Sequence, residues 1–194
     1  MKALRFLCIL TALSALFLLC ACGSEKQPED GKDKPVYEDA GKLPGDFAFS
    51  VVWDIYGQSS YDSLTGRLVK TTYTSDPGKF TAYVKMTEEQ LNEIYRILFY
   101  DIDITGYPDE YDPFRNPFTG KSIASEPNDT VIISATANGV TKTVTCKNIA
   151  AIGGPDRCPS EKGKAFLTAK RQIVDVIRSL PEWEAFPDYE VYFD

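Results

Sequence analysis

Thr130-Val-Ile-Ile-Ser-Ala135 and Val140-Thr-Lys-Thr-Val-Thr-Cys146, joined across Asn138-Gly139, form the stretch that decides the fold. Two β-branched runs flanking Asn-Gly predict an antiparallel hairpin, because this dipeptide accepts the positive φ angles that a tight hairpin turn requires. Upstream, Asp46 to Tyr56 alternates, with Phe47, Phe49, Val51, Trp53 and Ile55 on one side and Ser50 and Asp54 on the other, as in a half-buried strand. A turn at Ser63-Leu64-Thr65-Gly66 leads into a returning strand, Arg67 to Tyr73, and Lys79 to Lys85 reads as a third.

Two helices complete the pattern. Thr87 with Gln90 spells a capping box, Glu88 and Glu89 suit the helix dipole, and Leu91, Ile94, Tyr95 and Leu98 share one face. Ser160 opens the second helix, whose buried face carries Phe166, Ala169, Ile173, Ile177 and Leu180 before Pro181 ends it. A final strand is expected over Tyr189 to Phe193. Strands and helices segregated in this order predict an α+β fold, with antiparallel hairpins forming a sheet and the two main helices packed on one face.

Between the first helix and the hairpin, Asp101 to Pro127 has no sustained period and carries Pro108, Pro113, Pro117 and Pro127, so it reads as a long loop. Within it, Asp101, Asp103, Thr105, Asp109 and Asp112 occupy oxygen-ligand places around Gly106 and resemble the EF-hand calcium loop. Pro108 and the missing terminal Glu depart from that motif, and Pro113 to Pro117 opposes an exiting helix. The plainer reading is solvated acids in a loop that buries Ile102 and Ile104. Tyr100, Tyr107, Tyr111, Phe114 and Phe118 crowd the same region. Two roles are open for Tyr107, Tyr111 and Phe114: a ligand-binding platform, or anchors holding the loop to the core.

The N-terminus has a different character. Lys2 and Arg5 precede an apolar run from Phe6 to Leu19, too short to span a bilayer core that needs roughly 20 helical residues. Leu19-Cys20-Ala21-Cys22 closes that run and resembles the lipobox of bacterial lipoproteins. The resemblance implies a cleaved signal peptide over residues 1–21 and a diacylglyceryl, often palmitoylated, Cys22 whose acyl chains anchor the protein in the bilayer on its extracytoplasmic side. Residues 22–44 are rich in Lys, Glu, Asp, Pro and Gly and read as a disordered tether, leaving 45–194 as one globular domain. With its Trp-bearing first strand, its Ser59-Ser60-Tyr61-Asp62 turn and its Tyr107-Pro-Asp-Glu-Tyr111 loop, the domain is similar to small envelope lipoproteins of bacteria. That likeness implies a fold unit and no particular activity.

Charge and cysteine content narrow the function. The chain has 21 basic and 28 acidic residues, and removal of the signal segment with Lys2 and Arg5 brings the mature charge to −9. Such a balance disfavours nucleic acid, whose affinity rests on phosphate neutralisation. After processing only Cys146 and Cys158 remain, and export leads us to expect a disulfide between them, two free thiols being the alternative. With no histidine in the chain, the commonest general base is missing, and no nucleophile elbow, phosphate loop or dinucleotide fingerprint is present. We therefore expect a membrane-anchored binding module for an envelope protein or small ligand, with no cofactor. The alternatives are a hydrolase using paired carboxylates such as Asp54 and Asp62, or a Ca²⁺-stabilised module.

Overall fold

Burial alternates along Ala48–Trp53 (β1) as the sequence predicts, with Phe49, Val51 and Trp53 each at most 3% exposed, and this strand lies inside the sheet. The computed structural model describes residues 42–150 and 154–188, apart from the side chain of Asn148. They belong to one compact unit, Gly41–Asp194. The expectations for the signal segment, Cys22, the tether as far as residue 41 and the strand at 189–193 lie outside the described residues.

The architecture is α+β. Ser59–Asp62 (β2), Arg67–Val69 (β3) and Thr81–Tyr83 (β4) continue from β1 as an antiparallel meander, and Asn128–Ala137 (β5) and Val140–Ala150 (β6) add the long hairpin on β1's other side. The strand order is β4-β3-β2-β1-β5-β6. Register sets the buried face: Leu68, Tyr61, Val51, Ile133 and Val144 stand opposite one another in a row across five strands, each at most 1% exposed. On the opposite face the hairpin carries hydroxyl pairs, Thr136 with Thr141 and Ser134 with Thr143. A one-residue slip would exchange these two sets, so burial of the apolar row holds the register.

The hairpin turn forms as expected, with Asn138 and Gly139 both at positive φ (53° and 75°). Asp46 clamps it from far along the chain, its carboxylate accepting from the N–H groups of Asn138 and Gly139. Those two bonds hold its carboxyl below the ordinary carboxylate value.

Glu88–Arg96 (α1) starts at Thr87 with the predicted capping box complete on both sides. Its continuation departs from the regular period: Ile97–Asp101 widens into a π turn, closed by Ile102 N–H donating to Ile97 C=O. The wider turn buries Ile97, Leu98 and Phe99 together. Glu161–Arg178 (α2) is capped by the Ser160 side chain and buries Phe166, Leu167, Ala169, Ile173, Val174 and Ile177. Leu180 and Pro181 end it and start the short helix Pro181–Glu184 (α3), which sets Trp183 against Trp53 with ring centres 5.7 Å apart.

Candidate functional site

The segment between the π turn and β5 is an ordered wall, built upward from buried anchors. Ile104 is fully buried in a 3₁₀ turn, and Tyr107 and Phe114 are 4% and 1% exposed. Tyr107 donates its hydroxyl to Lys162 C=O, packs its ring against Phe166 and Tyr111, and lies beneath the Lys162 ammonium at 4.6 Å. Residues 109–111 then run beside β6, where Thr145 N–H donates to Asp109 C=O and Tyr111 N–H donates to Thr145 C=O. The segment is thereby stitched to the sheet edge and to the first turn of α2.

This settles the two roles left open for the aromatics. Tyr107 and Phe114 are anchors and cannot serve as a platform, because a loop this long stays in place by burying large rings. Tyr111 is half-buried between Tyr107 and Phe166, at centre distances of 5.0 and 5.3 Å, and its remaining surface lines a cleft. Phe118, 94% exposed, anchors nothing.

The acids do not converge as a calcium loop would require. Asp101 pairs with Arg96, Asp103 accepts from the hydroxyl of Thr105, Asp109 pairs with Lys142, and Asp112 accepts from the N–H of Phe114. The π turn, the 3₁₀ turn and the run along β6 point the four carboxylates toward different neighbours. Among the described residues no three His, Cys, Asp or Glu side chains gather around a common point.

Cys146 and Cys158 are free thiols, which corrects the expected bridge. Cys146 serves as a small apolar residue on the core face of β6, fully buried, and burial, with Asp112 adding, pushes its thiol up to about 12. Burial likewise raises the phenols of Tyr107 and Tyr111 to about 12, from 10.0, so both remain protonated donors at neutral pH. Unfolding would restore ordinary values to these groups, and the unfolded chain would lose protons first as pH rises. Stability is therefore present below pH 9 and falls between about 9 and 12. Cys146→Ala should flatten the lower part of that alkaline limb in denaturation curves measured at successive pH values, and an unchanged limb would refute the assignment.

The proposed carboxylate pair also separates. Asp62 stands opposite Ser50, four positions along β1 from Asp54, a gap of about 13 Å at roughly 3.3 Å per residue. Its carboxylate caps the turn at Thr65. Asp54, at φ 68°, accepts from Ser59 and pairs with Arg178, tying the end of β1 to the end of α2. The acid that the fold brings near it is Asp129, raised chiefly by burial and partly by Asp54, in a cavity of about 210 Å³ shared with Lys170 and Arg178. The ion pair in this cavity is that of Asp54 with Arg178, and Lys170 acts on Asp129 by charge alone.

The larger concavity is an open cleft of about 950 Å³. The loop contributes Glu110, Tyr111, Asp112, Arg115 and Asn116, β6 contributes Thr145 and Lys147, and the start of α2 contributes Ser160 and Lys162. Asn116 shapes the rim: its side-chain oxygen accepts from the N–H groups of Phe118 and Thr119, and its own N–H donates to Lys121 C=O. Sequence reasoning placed interest in this loop but missed Arg115, Asn116, Lys147 and Lys162. Nothing in their spacing marks them, since they lie on three elements that meet only after folding. No family model matches the chain, and no curated protein matches it, so the site is read from its own geometry.

Proposed function

We propose that this chain is an extracytoplasmic lipoprotein, held to the bilayer through acyl chains on Cys22, whose α+β domain is a non-enzymatic binding module. The cleft between the loop, β6 and α2 is the observation that carries the reading, because its volume is that of a ligand pocket and its lining mixes an aromatic ring with charges of both signs. The absence of histidine and of nucleophile or phosphate motifs weighs toward binding over catalysis.

Two measurements test it. Cys22→Ser should abolish incorporation of labelled palmitate into the chain, and undiminished labelling would refute the anchor. Crosslinking capture from native envelopes should recover a partner or ligand that is lost with Thr145→Trp. That residue bonds the loop through its backbone, so a larger side chain obstructs the cleft without removing the bridge. Identical capture by both proteins would remove the cleft from the reading. Tyr107 is unsuitable as a control, since its replacement would disturb the core.

A further inference from the structure

We propose that the cleft recognises an acidic saccharide, a hydroxylated ring bearing a carboxylate or phosphate group; this deepens the binding reading above and rests on it. Three elements each deliver one cation to the lining: Arg115 from the loop, Lys147 from β6 and Lys162 from α2. Lys162 is engaged, donating to Gly106 C=O and covering the Tyr107 ring. Arg115 and Lys147 have no ion pair among the described residues, while nearby Lys142 and Lys164 are each matched by an acid. The Arg115 guanidinium lies beside Gly120, another lining residue, with Nη2 3.9 Å from the place a Cβ would occupy there. In a chain where acids outnumber bases 28 to 21, two unpaired cations on one cavity are the complement of an anion.

The rest of the lining narrows the class. Glu110 and Asp112 share the cleft, so an acidic peptide or other polyanion would set its further charges against them. Screening over about 8 Å confines the chain's overall negative field, so a small anion in the cleft feels the charges of the lining first. Around them stand groups suited to hydroxyls. The carboxylates of Glu110 and Asp112 accept, and the amide nitrogen of Asn116 donates. The exposed part of the Tyr111 ring supplies an apolar surface for the C–H face of a sugar. A neutral sugar would leave both cations uncompensated.

The test uses full-length lipidated protein in detergent and five probes: glucuronate, glucose 6-phosphate, maltotriose, inorganic phosphate and hexaglutamate. Glucuronate or glucose 6-phosphate should bind, and which of the two does so identifies carboxylate or phosphate as the source of charge. Maltotriose and inorganic phosphate should bind at least about tenfold more weakly. Arg115→Gln and Lys147→Gln should each weaken binding about 10-fold to 100-fold, the range for one charged hydrogen bond, with melting temperature unchanged. Binding of maltotriose or hexaglutamate in preference, lost with Thr145→Trp, would overturn the acidic saccharide and leave the binding reading standing. Phosphate binding as tightly as its sugar ester would overturn it too. If no probe binds, the saccharide class fails, and the binding reading fails with it only if Thr145→Trp also captures the same envelope material as the wild type.

Discussion

Replacing Phe166 by Ala should cost about 3–5 kcal/mol, the range for truncating a buried Phe. The ring is fully buried on α2 and touches both Tyr107 and Tyr111 at 5.3 Å between centres, so its loss opens a void beneath the two tyrosines. For a domain of this size the melting temperature should fall by roughly 10–15 °C. The near-ultraviolet tyrosine signal should change as well, because the loop loses its floor. Phe118→Ala is the matched control: that ring is 94% exposed, and its removal should change stability by no more than about 0.5 kcal/mol. A Phe166→Ala loss below about 1 kcal/mol would mean that the loop does not rest on α2 as described.

Gly163→Ala tests the same contact from the backbone side, and the sign of its effect is informative. Inside a helix, Ala in place of Gly ordinarily stabilises by about 0.8–1 kcal/mol. Here a Cβ at position 163 would stand 2.3 Å from Pro113 C=O oxygen and 3.1 Å from its carbon. Both are backbone atoms of a loop held by Phe114, Tyr107 and the β6 bridge, so they cannot yield as a flexible side chain would. Overpacking of this kind costs about 1–3 kcal/mol, enough to offset the helical gain and lower the melting temperature. A rise in melting temperature on thermal denaturation would show that Pro113 stands clear of the helix. Gly163 thus sets how closely the loop approaches α2, and with it one wall of the cleft.

Several elements were legible because their signals are local. The Asn138-Gly139 turn, the Thr87 and Gln90 capping box and the alternation through Trp53 each depend on residues within a few positions of one another. The π turn after Arg96 was not legible, since Ile97 to Phe99 satisfy an ordinary helical pattern and the widening serves burial of all three. Nor was the left-handed backbone at Asp54, where the side chain closes on Ser59 and on Arg178, 124 residues away. The loop left two roles open for its rings, and distant neighbours decided between them: Lys162 and Phe166 cover Tyr107, and Thr145 holds the backbone. Of its acids only Asp109 meets a distant partner, Lys142, while Asp101, Asp103 and Asp112 are taken up by Arg96, Thr105 and Phe114 close by in the chain.

The α+β class, the antiparallel hairpin and the two capped helices are readable along the chain alone, because hydrophobic period and turn chemistry act over a single element. The side-chain chemistry open to the protein is readable there too, since side chains that are absent, histidine above all, cannot be supplied by folding. Which aromatic rings became anchors, which thiol was buried and which cations were left facing a cleft are outcomes of packing. They depend on burial and on partners far along the chain, and a segment without a period carries no local record of either.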